Sequence, residues 1–502
     1  MTIEPTAAKL ETLEPAAVWQ FFTAIAATPR PSKREDKMRD HLRSVARKYD
    51  LKIHEDEAGN IVIEAPATPG YEGVPVTVLQ GHIDMVCEKN SDVDHDFDDD
   101  PIAMQLADDP KGGGLVVRAA GTTLGADNGI GIAMALAAAV DPQVIHGPLE
   151  LLCTTDEEVG MTGAKALTPE FFNGRRLLNL DSEEDDRLYI GCAGGCDTNL
   201  AWDFAAAAPG VGGEFARVTV SGLRGGHSGG DIHENRGNAI KLLVRTLQCV
   251  GVDGLQIASI NGGSLRNAIP REAVALVSGP ADLVAGLRLA SEKIQADAKG
   301  ESNEPNVNVK VADAEPAEVS ALLSADDSRR LLSALAALPH GVLGMHPEVP
   351  GLVETSNNVA KVTSAASESG GGMQVKVETL SRSSSHSLLH VTLDQIVAVG
   401  RLAGATVETA NEYPGWEPNL DSPILATCRR VYEELFGEAP DVTAIHAGLE
   451  CGIIGKQVGG MDTVSFGPRI EGAHSPDEQV WVASVQKSWK YLVAVLAELA
   501  RG

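Results

Sequence analysis

Short apolar runs that resemble β-strands alternate with helix-like stretches over the first 190 or so residues of this chain. The runs at residues 76–79, 149–153 and 177–180 are the clearest, and a small, apolar stretch at residues 129–139 has the length of a buried helix. Such alternation predicts an α/β domain, with a mostly parallel sheet and helices on both faces.

The pattern changes near residue 191. Strand-like and helix-like segments then follow in the order β-α-β-β-α-β, at residues 215–220, 235–250, 255–260, 272–277, 281–298 and 307–311. This order is typical of a ferredoxin-like α+β unit. A chain of 502 residues is also too long for one ordinary domain. We therefore predict an inserted domain at residues 191–400 between the two parts of the first domain, residues 1–190 and 401–502.

Charge and composition exclude several classes of protein. The net charge of −29 disfavours nucleic acid and anionic membranes as partners. The N-terminal segment carries acidic residues where a signal peptide has a basic start and an apolar core. Seven cysteines are scattered without a zinc-finger or CxxC spacing, which favours a reducing cytoplasm. The expected location is therefore cytoplasmic.

Side chains that bind metals follow the strand-like runs. The carboxyl ends of strands are where open α/β sheets bind ligands. The candidates are His82 and Asp84 after residues 76–79, Asp127 in a glycine-bracketed turn, Glu157 and Glu158 after residues 149–153, Asp181 after residues 177–180, and His474 after residues 463–466. Two imidazoles and three carboxylates suit a pair of divalent metals that share one carboxylate.

Each of these motifs has a simpler explanation when it stands alone. His82-x-Asp84 could be a surface turn, Glu157-Glu158 a solvated loop, and Asp127 a helix cap. A dinucleotide-binding turn after Asp127 fails because Met134 stands where a third glycine or alanine belongs. The acidic run at residues 92–100 lacks the glycine of an EF-hand loop and is expected to be a mobile loop near the mouth of the site.

In combination, the motifs resemble the M20 family of co-catalytic metallopeptidases, and within it the aminoacyl-histidine dipeptidase branch. The resemblance rests on the metal-type residues, their order and three further segments. These segments are Gln-Gly-His-Ile-Asp-Met-Val at residues 80–86, Gly-Gly-His-Ser-Gly at residues 225–229 and His-Ala-Gly-Leu-Glu-Cys-Gly at residues 446–452. It covers nearly the whole chain.

The resemblance implies a role for each metal-type residue. Asp127 would bridge two divalent metals, zinc with cobalt or manganese able to substitute, and a cis peptide bond would join it to Asn128. The remaining ligands would be His82 and Asp181 on one metal and Glu158 and His474 on the other. Glu157 would be the general base, and Asp84 would orient His82.

The resemblance also implies a function for the inserted domain, as a lid and a homodimer surface. His227 would reach the active site of the partner subunit and stabilise the oxyanion. Asn267 and Arg382 would bind the substrate carboxylate, a role that suits the two-pronged guanidinium of arginine.

The function predicted on this basis is hydrolysis of unblocked dipeptides, especially Xaa-His dipeptides such as β-alanyl-histidine, by a metal-bound water and a glutamate base. Three alternatives stay open. The same metals could serve a deacylase of N-acyl amino acids, the protein could bind metal or peptide without catalysis, or it could be an assembly protein that has lost catalysis.

Overall fold

The computed structural model describes residues 10, 12–109, 111–208, 213–251, 253–302, 304–316, 321–367 and 371–502. In chain order, the strands are β1 (Lys52–Glu55), β2 (Ile61–Ala65), β3 (Thr77–His82), β4 (Met104–Asp108), β5 (Leu115–Ala119), β6 (Leu149–Thr154), β7 (Arg176–Asn179), β8 (Arg187–Cys192), β9 (Gly194–Ala205), β10 (Glu214–Ser221), β11 (Gly226–His227), β12 (Gln256–Gly262), β13 (Ala268–Ile269), β14 (Ala273–Gly279), β15 (Asn308–Asp313), β16 (Gly341–Met345), β17 (Val353–Ala366), β18 (Gly372–Ser383), β19 (Thr406–Tyr413), β20 (Asp441–Ile445), β21 (Asp462–Ser465), β22 (Ile470–Glu471) and β23 (Gln479–Trp481). The α-helices are α1 (Ala16–Ala26), α2 (Asp36–Lys48), α3 (Ala126–Val140), α4 (Thr162–Ala166), α5 (Ala239–Cys249), α6 (Leu283–Glu301), α7 (Ala325–Ala337), α8 (His386–Leu402), α9 (Pro423–Phe436), α10 (Glu450–Gln457) and α11 (Val482–Arg501). Within these ranges, no helix combines the length and the apolar character that crossing a membrane requires.

The chain forms two compact units. The first extends to Gly191 and includes Pro418–Ala444 and Leu449–Gly502. Its main sheet has the order β1-β2-β6-β3-β7-β21-β8-β20. The neighbouring strands β6, β3, β7 and β21 are parallel, whereas the β1–β2, β2–β6 and β8–β21 pairs are antiparallel. The α/β prediction is confirmed, and the sheet is mixed, with the four parallel strands β6, β3, β7 and β21 next to one another.

Helices cover both faces of this sheet. Successive strand residues point to opposite faces, so they enter two separate cores. Leu79, Leu151 and Leu178 pack in the core that contains α1, α3 and α11. The preceding or following residues Val78, Leu152 and Leu177 pack instead in a second core with residues of α4 and α10. Strands that are apolar on both faces are typical of a parallel sheet buried between helices.

The second unit comprises Cys192–Glu417 and Ile445–Gly448. Its nine-stranded sheet has the order β15-β10-β14-β12-β17-β18-β9-β19, with β16 paired to β17, and the pairings are antiparallel. Strands β10, β12, β14 and β15 with helices α5 and α6 form the β-α-β-β-α-β unit expected from the sequence. Strands β17, β18, β9, β19 and β16 extend this unit into the larger sheet, whereas β11 and β13 form a separate pair.

The predicted end of the inserted domain at residue 400 differs from the structure. Strand β19 pairs with β9 over Thr406–Ala410 and again at Tyr413, so it is an edge strand of the second sheet. The chain returns to the first unit only at Pro418. The sequence did not show this because an exposed edge strand has little apolar alternation.

Candidate metal centre

The parallel centre of the first sheet brings most of the predicted site residues to one edge. His82 is the last residue of β3, Asp181 follows β7, and Glu157 and Glu158 follow β6. Since β6, β3 and β7 are parallel neighbours, their carboxyl ends lie side by side. The strand ends therefore converge as the sequence predicts.

Asp127 lies between two imidazoles. Its Oδ1 is 3.0 Å from Nε2 of His82, and its Oδ2 is 3.1 Å from Nε2 of His474. The Asp127–Asn128 peptide bond is cis, as expected from the resemblance. The Asn128 side chain donates a hydrogen bond to the carbonyl oxygen of Leu180, at 2.6 Å, which ties this turn to the residue before Asp181.

Two further carboxylates complete two groups of three donors. Oδ1 of Asp181 is 3.4 Å from Nε2 of His82, and Oε2 of Glu158 is 3.0 Å from Nε2 of His474. Two ligands held about 2.0 Å from a tetrahedral metal are about 3.3 Å apart. The four nitrogen–oxygen distances are close to this spacing. Each group therefore has two donor separations that fit one metal, and ligand atoms of His82, Asp127 and Glu158 also lie within 4.8 Å of one another.

The chemistry of the donors also fits divalent metals. Oε1 of Glu158 is buried and has no hydrogen-bond partner in the described part of the chain. A buried carboxylate oxygen without a partner is costly unless a cation neutralises it. Imidazole nitrogen and carboxylate oxygen are the ligands of zinc and similar metals.

The pKa values show how strongly this cluster attracts positive charge. Burial alone lowers the pKa of His82, but Asp181, Asp127 and Asp84 outweigh it and raise this pKa well above its usual value. Hydrogen bonds to Asp127 and Glu158 raise the pKa of His474 to about 11. Protons on these imidazoles occupy the positions where a metal cation would bind, so metal binding would release them.

Asp84 contacts the His82 side chain and the backbone of both glutamates. Its Oδ1 is 3.3 Å from Nδ1 of His82 and accepts a hydrogen bond from the backbone N–H of Glu157 at 3.0 Å. Its Oδ2 accepts one from the N–H of Glu158, at 3.2 Å, and one from the Ser32 hydroxyl, at 2.7 Å. Burial opposes ionisation, but the contact with His82 lowers the pKa of Asp84 to about 2. Asp84 thus stays charged and fixes an imidazole and both glutamates.

Glu157 lies in a buried environment with several other carboxylates nearby. Burial raises the pKa of Glu157 well above its usual value, His82 opposes this rise, and the nearby carboxylates of Asp181, Glu450 and Glu158 add to it. A carboxylate with a raised pKa can take up a proton near neutral pH. Glu450 is itself fully buried, and accepts hydrogen bonds from Gln80 at 2.8 Å and Thr154 at 2.5 Å.

Glu478 was not predicted, yet it holds the turn that carries Asp127. Its two carboxylate oxygens accept hydrogen bonds from the backbone N–H groups of Leu124, Gly125, Ala126 and Asp127, at 2.7, 3.0, 2.7 and 3.3 Å. Nothing in the sequence separates Glu478 from the surface carboxylates around it, because the turn it binds lies more than 350 residues earlier.

Replacing Glu478 with alanine is expected to lower the melting temperature by about 5–10 °C, because buried N–H groups left without partners cost about 1–3 kcal/mol each and water can satisfy only some of them. Metal content should fall with it. Calorimetry and metal analysis would check this. Asp477→Ala is the matched control, since Asp477 is the exposed neighbour. Equal melting temperatures for the two variants would contradict the role of Glu478.

Arg30 is a second buried residue that the sequence did not reveal. Its guanidinium donates to the backbone oxygens of Ile83, at 3.2 Å, of Asp84, at 2.5 Å, and of Gly125. It therefore connects the end of β3 to the turn before Asp127. Burial lowers the pKa of Arg30, and the negative charges of Asp84, Glu478 and Asp127 oppose this change.

The other predicted site residues lie in the second unit. Nη1 of Arg382 donates to the Tyr413 hydroxyl at 2.8 Å, and Nη2 is 3.5 Å from Nε2 of His227. Asn267 is exposed, and its backbone oxygen accepts a hydrogen bond from the N–H of Ser228 at 2.8 Å. The structure thus places the side chains of His227 and Arg382 next to each other. Tyr413 was missed because a single tyrosine near a chain turn carries no signal.

The hydrogen bonds of His227 determine which nitrogen carries its proton. Nδ1 accepts hydrogen bonds from the N–H groups of Gly229, at 3.3 Å, and Gly230, at 3.0 Å. Burial lowers the pKa of His227, and the positive charge of Arg382 lowers it further. A neutral imidazole that accepts at Nδ1 carries its hydrogen on Nε2. The two backbone N–H groups therefore favour the neutral tautomer with its hydrogen on Nε2, whereas the Arg382 guanidinium, 3.5 Å from that nitrogen, is also a donor.

Comparison with known proteins agrees with this geometry. Residues 78–498 match the sequence profile of Peptidase family M20/M25/M40. The chain is 41% identical over 494 residues to the cytosol non-specific dipeptidase of Escherichia coli (strain K12). The aligned region covers 98% of this chain and 99% of that protein. The crystal structure of aminoacylhistidine dipeptidase from Vibrio alginolyticus is 41% identical, with 99% of each chain covered and a TM-score of 0.88.

The fold is also shared with more distant structures. The aminopeptidase PepT of Bacillus cereus has 16% identity and a TM-score of 0.60, with 97% of this chain and 99% of that chain covered. The profile match includes all the residues of the candidate metal centre, from His82 to His474. The chain therefore belongs to peptidase family M20/M25/M40 and is a hydrolase that acts on peptide bonds.

Proposed function

We propose that this protein is a two-metal dipeptidase. The observation that carries the proposal is the position of Asp127, whose two oxygens each face a different imidazole at about the separation of two ligands on one metal. Its 41% identity to two dipeptidases over nearly the full length supports this substrate class.

The residues around Asp127 divide into two ligand sets. His82, Asp127 and Asp181 would hold one ion, and His474, Asp127 and Glu158 the other. Zinc suits these donors best, with cobalt or manganese as substitutes. When bound, the ions supply Lewis-acid polarisation of the scissile carbonyl and lower the pKa of the attacking water.

Glu157 would move the proton. In the proposed reaction its carboxylate takes a proton from the attacking water, and then delivers that proton to the nitrogen of the leaving amine. The raised pKa of Glu157 suits both steps, since the group must accept a proton and release it near neutral pH. Asp84 would hold the backbone of Glu157 in place through the hydrogen bond to its N–H.

The second unit would supply groups that recognise the substrate. Arg382 is buried and charged, and would bind the substrate carboxylate together with Asn267. His227 of the partner subunit would donate its Nε2–H to the oxyanion, in a homodimer formed through the second unit. The backbone N–H groups that donate to Nδ1 favour the tautomer that this role requires.

The proposal also concerns which dipeptides the protein hydrolyses. One relative is named a non-specific dipeptidase and the other an aminoacylhistidine dipeptidase. We propose that Xaa-His dipeptides, including β-alanyl-histidine, are good substrates within a broader range of unblocked dipeptides. The location proposed is the cytosol, which the name of the E. coli relative supports.

A screen of unblocked dipeptides, with metal counted in the same samples, tests this function. We expect hydrolysis of Xaa-His and other dipeptides, loss of activity after chelation, and recovery with zinc, cobalt or manganese, because the bound ions would supply the Lewis-acid chemistry of the reaction. N-acetyl amino acids serve as controls. Full activity without metal would refute the mechanism, and cleavage of the N-acetyl substrates alone would make the protein a deacylase.

Mixing two inactive variants tests the role of His227. In a dimer of one Glu157→Ala chain and one His227→Ala chain, the second chain keeps its own Glu157 and receives His227 of the partner subunit. Reassociated mixtures should therefore recover about a quarter of wild-type activity, because half of the dimers are mixed and each has one complete site. Unmixed variants are the controls. A mixture as inactive as its components would exclude action across the dimer.

A further inference from the structure

The second unit contains a separate cluster of metal-type side chains. His386, His390 and Glu412 each place a potential ligand atom within 4.8 Å of the others. None of them belongs to the metal centre described above, and the sequence motifs did not identify them. Two imidazoles and one carboxylate are a ligand set found in zinc proteins.

The distances in this cluster match those between ligands of one metal. Nε2 of His386 is 3.2 Å from Nε2 of His390, and Oε1 of Glu412 is 3.4 Å from His390 Nε2 and 3.9 Å from His386 Nε2. Ligands about 2.0 Å from a tetrahedral metal are about 3.3 Å apart. Two of the three separations fit closely, and the third needs a small rotation of an exposed side chain.

Helix α8 positions the two histidines. It begins at His386, after Ser385 accepts a hydrogen bond from the N–H of Leu388. Residues four positions apart on a helix lie on the same face, so both imidazoles point the same way. Leu389 and Leu393 follow His386 and His390 by three residues each, border them on the helix surface, and are buried. The histidines therefore lie in the first two turns of a helix that these leucines anchor.

An irregularity in edge strand β19 positions Glu412. The pairing of β19 with β9 shifts between Ala410 and Tyr413. Within this shift, Asn411 has a φ of 54°, and its side chain donates to Oδ2 of Asp197 at 2.8 Å. Such bulges change the direction of a side chain relative to the regular ladder. Glu412 lies within this irregular stretch of β19, and its carboxylate is 3.4 Å from Nε2 of His390 and 3.9 Å from Nε2 of His386.

We propose that His386, His390 and Glu412 bind one divalent transition-metal ion, with water in the fourth position. Imidazole ligands favour zinc, nickel or copper over magnesium and calcium, which prefer oxygen. In the described part of the chain, the two histidines are the only ion-pair partners of Glu412. A bound ion would connect the start of α8 to the edge of the sheet.

Equilibrium dialysis against zinc, followed by elemental analysis, tests this site. Wild-type protein should bind about one zinc per chain more than His390→Ala, because the variant loses one of three ligands. Glu412→Gln should weaken this zinc about tenfold or more. The matched control is His54→Ala. His54 is an exposed histidine whose Nε2 lies 2.7 Å from a carboxylate oxygen of Glu64, but it belongs to neither of the metal-type clusters among the described residues.

The outcomes separate a metal site from a simple hydrogen bond between two histidines. Loss of about one zinc in His390→Ala and none in His54→Ala, with excess magnesium unable to displace it, would establish the site. The same zinc content in wild-type and His390→Ala protein would overturn it. Circular dichroism melting and dipeptide hydrolysis monitor the fold and the metal centre of each variant, so the result does not depend on the proposed catalytic function.

Discussion

Hydrolysis of dipeptides should fall by about 10²–10⁴-fold when Glu157 is replaced by alanine, while the protein keeps its metals. The size of the effect follows from the proposed proton transfers, which no neighbouring group is free to take over. Asp181 and Glu158 are assigned to metals, and Glu450 is occupied by hydrogen bonds from Gln80 and Thr154. Turnover measured with saturating substrate, together with metal analysis, would check this prediction.

Two further variants make the test specific to the base. Glu157→Gln keeps the shape of the side chain but cannot accept the proton, so it should be nearly as impaired as Glu157→Ala. Glu72→Ala, which removes an exposed carboxylate in the same unit, should be fully active. A Glu157→Gln protein with near wild-type turnover would end the assignment of Glu157 as the base.

Replacing Asp127 with alanine should have a still broader effect, with loss of both metals and of nearly all activity. Asp127 is the only residue that belongs to both groups of donors. Its removal leaves each group with two ligands and also frees two imidazoles that it stabilises as cations. We expect activity to fall by about 10⁴-fold or more, to the level of metal-free protein.

Asp127→Asn separates bridging from simple ligation. The amide keeps one oxygen and should bind one metal at most, so metal content should lie between the wild-type and alanine values. Asp141→Ala is the matched control, because Asp141 lies just after the other end of α3. If Asp127→Ala retained both metals, the bridging arrangement would be wrong.

The sequence predicted much of the metal centre because its ligands follow a local rule. His82, Asp181 and Glu158 lie at or within four residues of the end of an apolar strand, and parallel neighbours bring their carboxyl ends together. Asp127 and His474 gave a weaker signal, since each lies in a glycine-containing turn where such residues also occur without a metal. Their residue types made them candidates, the resemblance implied their roles as ligands, and in the structure Nε2 of His474 is 3.1 Å from Oδ2 of Asp127.

The tertiary structure alone decided which residues support the ligands and how the sheets end. Glu478 and Arg30 act through backbone groups distant in the sequence, and such hydrogen bonds leave no pattern in the supporting side chain. The bulge at Asn411 and the late return of the chain at Pro418 likewise depend on pairing with β9. Apolar periodicity records which face of an element is buried, so it specified the layers and the strand ends. Polar contacts between distant segments exist only once the chain has folded, and they set the geometry of the metal centre.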